Sequence, residues 1–433
     1  MKTDHKQNSM GKIPKEWEVA KLGDVCEFKR GFSYRSNQIA KNVTSIRLIT
    51  INDFEKEGGI KQDAEKIYIV ENTDADLNFS LNTKDVLIAN TDMSKGFIIG
   101  APILIKDLNG KSVYSMDLTK LIFDGSKIDS EFLFYCLKHE TIRQKMKSFA
   151  QGTNVLHLNH DLVKNLKIPL PPLPEQRRIA EILSTVDQAI QRVDEAIART
   201  ERLKRGLMQR LLTRGIGHRE FKFSKELGCE IPKEWEIFKV KDLFTIATGT
   251  TPSTKEKDYW IEGNVYWITP TDLSKLNGKI YVEDVERKIT EKAIQDYNLT
   301  IMPEGSLILS TRALVGYVAV LSKKATFNQG CKGLIIKNKE KIVSELYCYY
   351  LTFKRRTLEN LSSGSTFKEL SKDRLETLFI PYASKEEQKK ITEILSTVDK
   401  KLELERNRKK KLERIKRGLM NDLLTGKVRV KKT

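Results

Sequence analysis

The sequence predicts an α+β chain made of two related halves. Each half is a globular domain of mixed strands and helices that leads into one long helix. The two helices are expected to pair as an antiparallel coiled coil separating the domains about a pseudo-twofold axis. Three observations point there. The segment EILSTVD stands at Glu181 to Asp187 and again at Glu393 to Asp399. Other segments repeat at nearly the same spacing through the 433 residues. Finally, each copy passes from short β-rich runs into a heptad stripe over its last ~45 residues.

Size and composition set the frame. A chain of 433 residues has room for two or three domains with real cores. With 39% hydrophobic and 31% charged residues it reads as globular with much solvated helix surface. The longest apolar run, FIIGAPILI at Phe97 to Ile105, falls far short of the ~20 residues of a membrane helix. The start, MKTDHKQNSM, has no apolar signal core, so a cytoplasmic location with no membrane partner is expected. The cysteines Cys26, Cys136, Cys229, Cys331 and Cys348 are scattered and form no C-x-x-C pair. Neither a disulfide framework nor a thiolate zinc site is suggested. The formal charge of +19 attracts polyanions, which makes nucleic acid the first partner to consider.

The repeat orders the elements. IPKEWE at Ile13 to Glu18 returns at Ile231 to Glu236, an offset of 218. RLITINDF (Arg47 to Phe54) aligns with YWITPTDL (Tyr266 to Leu273), keeping Thr50/Thr269 and Asp53/Asp272. DVLIANT at Asp85 parallels GSLILST at Gly305, and KRGLM at Lys204 returns at Lys416. Such steady offsets describe two tandem copies. The first ~150 residues of each copy carry β-branched and aromatic runs, such as SIRLITI, KIYIV, DVLIAN and KLIF, between Gly, Asn and Asp.

The long helices follow. In the first, Ile179, Ile182, Val186, Ala189, Val193, Ala196, Thr200, Leu203 and Leu207 keep a four-and-three spacing. Pro174 suits the first helical position and Glu175 suits the positive end of the helix dipole. In the second, Ser384 and Glu387 are expected to form a capping box. Its stripe runs through Ile391, Ile394, Val398, Leu402, Leu412, Ile415, Leu419 and Leu423. Glu405, Arg408 and Lys409 lie on or near that stripe, so its ends should pack better than its centre.

Catalytic signatures are sparse. The chain has no Gly-rich cofactor turn with an N-P-P-aromatic box, and no G-x-x-x-x-G-K-[ST] phosphate loop. Asp284, Glu286 and Lys288 stand in a loose nuclease-like order that reads better as a solvated strand. Cys136, His139, His157 and His160 have zinc-like spacing, but the aligned positions Tyr350, Phe353, Glu369 and Lys372 carry no such set. No catalytic, cofactor or metal residue is assigned.

LKIPLPPLPEQRRIAEILSTVDQAI followed by LKRGLMQRLLTRG, with the second-copy forms LFIPYASKEEQKKITEILSTVDKKL and IKRGLMNDLLTGK, resembles the specificity subunits of type I restriction-modification systems. IPKEWE and TGTTPS (Thr248 to Ser253) fit the same pattern, and the resemblance covers nearly the full length. It implies target-recognition domains at residues 1–165 and 218–377, followed by conserved helical regions at 166–217 and 378–433. It further implies that each domain reads half of a split site in double-stranded DNA, while the helices measure the spacer and dock two methyltransferase subunits. Restriction, motor-nuclease subunits would join them. S-adenosylmethionine, ATP and Mg are then expected on those partners, and the chain itself is expected to be non-catalytic. A coiled-coil scaffold and an autonomous restriction or modification enzyme are the competing readings.

DNA-contact candidates are Arg30, Tyr34 and Arg35 in KRGFSYRSN, and Lys255 and Lys257 after TGTTPS. Arg47, Lys95, Asn154, Arg312 and Lys368 join them, near strand ends or in loops at comparable places in the two copies. For each, a plain solvated residue is the competing reading. The run RNRKKKLERIKR from Arg406 is most simply a solvated helix face, with phosphate or partner contact as the sharper alternative.

Overall fold

The computed structural model describes residues 5–61, 64–70, 78–93, 96–108, 110–312, 314–362 and 369–430. The chain divides into one unit of Met1–Arg192 with Arg408–Thr433 and a second unit of Val193–Asn407. The long helices run over Leu173–Arg214 and Lys385–Leu424, about 63 and 60 Å at ~1.5 Å per residue. Each gives one half to each unit.

In the first unit a four-stranded antiparallel sheet has the order Cys26–Arg30, Leu118–Phe123, Val86–Ala89, Pro102–Leu104. The inner strand Val86–Ala89 is buried at every position, which is why its sequence, VLIA, is a continuous apolar run. Beside it, Ile46–Ile49 pairs parallel to Lys111–Tyr114 and antiparallel to Ile67–Ile69. Helix Ser130–Lys138 is capped by Asp129, whose carboxylate accepts from Glu131 and Phe132 N–H at 3.0 Å. Glu18–Lys21 pairs antiparallel with Lys167–Leu170, so the opening of the domain lies against the strand that feeds the long helix.

The second unit repeats the plan. Phe244–Thr248, Cys331–Ile336, Leu307–Ser310 and Val318–Leu321 form the antiparallel sheet in the same order, extended by Tyr281–Val282. Val265–Ile268 pairs parallel to Ala325–Phe327 and antiparallel to Lys288–Ile289. Glu236–Lys239 closes on Phe379–Tyr382.

The helix ends belong to these cores. Ile179, Ala180 and Leu183 from the start of the first long helix are buried with Met420, Leu423 and Leu424 from the end of the second, around Trp17, Leu133 and Tyr135. In the second unit Met208, Leu211 and Leu212 are buried with Ile391 and Leu395, around Trp235, Leu346 and Tyr347. Within each unit the start of one long helix therefore lies beside the end of the other, which is antiparallel pairing.

Two expectations about the helices need correction. Leu203, Ile394 and Ile415, assigned to the stripe, are 53%, 38% and 50% exposed, and Leu395 is buried in place of Ile394. A helix of 3.6 residues per turn drifts off a 3.5 repeat by ~20° per heptad, carrying such positions to the flank. The second correction concerns Ser384 and Glu387. Ser384 Oγ does accept from Glu387 N–H at 3.3 Å. The Glu387 carboxylate, however, is engaged elsewhere, accepting from Trp235 Nε1 (2.9 Å) and Ile216 N–H (2.8 Å) and facing His218 Nε2 (2.9 Å).

That long-range latch is itself repeated. Glu175 accepts from Trp17 Nε1 at 3.1 Å and from Arg429. The neighbouring glutamines also match. Gln176 accepts from Asp129 N–H and donates to Lys127 O and Pro171 O. Gln388 accepts from Val343 N–H and donates to Lys341 O and Ala383 O. The second copy writes YASKEEQ where the first writes PPLPEQ, yet the Glu-Gln pair does the same work in both.

Candidate nucleic-acid interface

In the first unit the chain crosses from strand Lys111–Tyr114 to strand Leu118–Phe123 through Ser115, Met116 and Asp117. The loop starting at Gly31 is pressed onto this crossover. A Cβ at Gly31 would lie 2.2 Å from Ser115 O and 2.5 Å from Tyr114 O, so only glycine permits the approach. Phe32 N–H donates to Tyr114 O (2.9 Å) and Met116 N–H to Phe32 O (2.8 Å). Arg30 Nε donates to Met116 O at 2.9 Å, and Thr91 Oγ1 to Asp117 Oδ1 at 3.0 Å. The Met116 side chain is left 41% exposed.

The second unit builds the same scaffold with other side chains. The crossover from Ala325–Phe327 to Cys331–Ile336 is Asn328, Gln329 and Gly330. A Cβ at Gly249 would lie 2.3 Å from both Asn328 O and Phe327 O. Thr250 N–H donates to Phe327 O (3.1 Å), and Asn328 Oδ1 accepts from Gly330 N–H (3.0 Å). Thr251 Oγ1 is 2.5 Å from Gln329 Oε1, both at the surface. An open cleft beside them is lined by Trp267, Thr269, Asp272, Arg287, Arg312 and Gln329. Arg287 stacks on Trp260 with its guanidinium 3.6 Å from the ring centroid, and Trp260 meets Trp267 edge-on. Arg312 is held by Glu369 at 2.8 Å. Lys332, 6% exposed, stands 3.9 Å from the same carboxylate; burial lowers its pKa, opposed by Glu369. A rim of amide, hydroxyl and guanidinium groups offers the donors and acceptors that base edges and phosphates require.

The sequence-predicted contacts distribute unevenly over these scaffolds. Arg30 and Tyr34 lie at the first crossover, Arg30 bonded to Met116 O and Tyr34 beside Asp117. Tyr34 is half-buried, packed on the cluster of Phe32, Leu48 and Val113, and its hydroxyl pKa is raised by burial and then by Asp117. Arg35 is exposed. Arg47 is ion-paired with Asp53 at 2.5 Å, within the turn that Thr50 caps. Asn154 is exposed between strands Ala150–Gln151 and Val155–Leu158. Lys255 is exposed on the loop beyond Ser253, Lys257 is exposed at the start of the short 3-10 helix Lys257–Tyr259, and Arg312 lines the second-unit cleft. Lys95 and Lys368 lie outside the described residues.

Sequence reasoning missed Met116, Gln329 and the Arg287–Trp260 stack. The crossovers read YSMDL and FNQGC and share no letter, so letter repetition does not mark them. The glycines Gly31 and Gly249, 218 residues apart, were the available signal.

The zinc-like set is dispersed into other roles. Cys136 is buried in the first core, and His160 Nε2 lies 2.9 Å from Asn90 Oδ1. Among the described residues no three His, Cys, Asp or Glu side chains converge as metal ligands. No helix among them is long and apolar enough to cross a membrane.

The sequence profile of the family described as type I restriction modification DNA specificity domain matches twice, at residues 14–199 and 232–414. A provisionally named type I restriction enzyme MjaX specificity subunit of Methanocaldococcus jannaschii is 31% identical over 433 residues, covering 98% of this chain and 97% of its own. The MjaVIII specificity subunit of the same organism is 28% identical, covering 97% and 95%. The crystal structure of a type I restriction-modification S subunit from M. genitalium has the same fold, with a TM-score of 0.59 at 15% identity over 96% of this chain and 97% of that one. With two matched domains on two copies of one scaffold, the chain belongs to the family of type I restriction-modification DNA specificity subunits.

Proposed function

We propose that this chain is the non-catalytic reader of a type I restriction-modification complex, each globular domain recognising one half of a bipartite duplex site. The two long helices set the unread spacer and dock two methyltransferase subunits, and motor-nuclease subunits join for restriction. S-adenosylmethionine, ATP and Mg act on those partners.

One observation supports this reading above the others. The latches at the helix starts are the same in both units, Trp17–Glu175 and Trp235–Glu387, whereas the crossovers present Met116 in one and Gln329 in the other. A shared Trp–Glu attachment with unlike exposed side chains suits two readers of different sequences mounted for the same kind of partner. The +19 charge suits a duplex.

Exchanging residues 13–165 for the matching domain of another family member, followed by methylome sequencing with the methyltransferase partner, tests it. One half-site should change and the other stay. A change in both, or in neither, would overturn the reading.

A further inference from the structure

Gln329 occupies the middle of a crossover whose backbone is fixed from every side. Asn328 N–H donates to Ile268 O at 3.0 Å, and Thr311 N–H donates to Gly330 O at 2.8 Å. The adjacent loop packs directly on it at Gly249, where a Cβ would lie 2.3 Å from Asn328 O. On this mount the Gln329 side chain is exposed. Among the described residues its side-chain partner is another surface group, Thr251 Oγ1, at 2.5 Å. That contact orients the amide without consuming it, since the carbonyl keeps a second lone pair and the NH₂ keeps its donors. Met116 holds the corresponding place in the first unit and is 41% exposed as well.

We infer that this crossover position selects a base, and that Gln329 reads an adenine in the half-site of the second domain. The inference rests on the DNA-reading function proposed above and goes further, naming the residue and the base. An amide pairs one acceptor with one donor at the spacing of adenine N6–H₂ and N7 in the major groove. Guanine shows two acceptors on that edge and calls for two donors, which a glutamine cannot supply as a pair and an arginine can. Thr251 is a positioning residue, holding the amide toward the groove.

The full chain is co-expressed with its methyltransferase subunit, and the methylome is mapped for Gln329→Ala, Gln329→Arg and Thr251→Ala. For Gln329→Ala, preference at one A·T position of one half-site should fall by about 5- to 150-fold, the equivalent of ~1–3 kcal/mol for a bidentate pair. Gln329→Arg should move that position toward guanine, and Thr251→Ala should weaken the same position to a smaller degree. The other half-site should not move. If both Gln329 variants keep the wild-type site while exchange of the second domain still replaces that half-site, this inference fails and the function stands. A uniform loss of binding across all sequences at an unchanged melting temperature would also overturn it, since that marks a phosphate anchor. If the domain exchange alters neither half-site, the function itself fails.

Discussion

Lys204 Nζ lies 2.5 Å from Asp399 Oδ1, with the side chains only 18% and 20% exposed. Tyr349 Oη donates to the other oxygen at 2.7 Å. The first unit repeats the arrangement 212 residues away, where Lys416 pairs with Asp187 and Tyr135 Oη donates to it at 2.9 Å. These aspartates are the last letters of the two EILSTVD segments. One carboxylate ties one long helix both to the other and to a domain helix, which is why the segment is written twice. Asp399→Ala leaves an ammonium and a hydroxyl short of a partner in a largely enclosed place, and should cost about 2–3 kcal/mol. Combining it with Lys204→Met and Tyr349→Phe should recover much of that loss. Urea unfolding of the set measures both, and a loss below ~0.5 kcal/mol for the single variant would contradict the role.

Two kinds of glycine should respond in opposite ways. Gly215 and Gly426 follow the long helices with φ of +61° and +68°. A Cβ at Gly426 would also lie 2.5 Å from Pro14 Cδ and 3.0 Å from Trp17 Cη2. Gly426→Ala should therefore cost about 1–3 kcal/mol. Gly206 and Gly418 stand inside the helices with open space where a Cβ would go. Gly206→Ala should stabilise the chain by about 0.5–1 kcal/mol. Keeping a helix-weakening residue at both repeat positions fits a surface that a partner backbone approaches closely. Gly206→Ala with Gly418→Ala should thus raise the melting temperature yet lower methyltransferase occupancy in native mass spectrometry. Full two-partner occupancy in the double variant would reject the docking role.

Lys138 supplies a pH test. Burial, then the neighbouring Lys416, lowers its pKa to about 8, with Asp187 and Glu55 acting in the opposite direction. The unfolded chain holds that proton up to ~10.4, so between about pH 8 and 10.4 it binds more protons than the folded state. Stability contributed through this group must therefore rise with pH across that window and be flat below it. Lys138→Met should remove the rise and raise the melting temperature at pH 7. Identical pH profiles for the variant and the parent would disprove it.

The sequence exposed the framework wherever repeated letters coincide with a backbone signal. Thr50 with Asp53 and Thr269 with Asp272 are letter-for-letter matches, and each is a helical-turn cap, with Thr N–H donating to the Asp carboxylate at 2.8 and 2.9 Å. Trp17 and Trp235 were visible within IPKEWE, but not their bonds to Glu175 and Glu387, because those donors lie more than 150 residues away in the chain. A local rule therefore assigned Glu387 to Ser384. The pairing of Arg47 with Asp53 is hidden for a similar reason, since spacing does not tell which way a side chain turns. The crossovers were illegible because their backbones match while their side chains differ, and unlike side chains on a common mount are what two separate readers require.

The pairing of the helices also fixes where an insertion that lengthens both can be placed. In the second unit Glu201 meets Arg406 at 2.7 Å, both 41% exposed, and Lys204 meets Asp399. Four residues inserted between Thr200 and Glu201 alone would lengthen one helix by ~6 Å at ~1.5 Å per residue and throw its two halves out of register with the other helix. A matched insertion between Arg406 and Asn407 leaves Glu201 facing Arg406 and restores the register. Four residues advance a helix by ~400°, so the faces return within ~40° of their original direction. At ~3.4 Å per base pair, the unread spacer should grow by roughly one to two base pairs, less if the helices lie oblique to the duplex. Both half-site sequences should be unchanged. The single insertion should lower the melting temperature, and the matched pair should recover it. An active, methylating complex of the matched variant that keeps the original spacer would show that the helices do not set the distance.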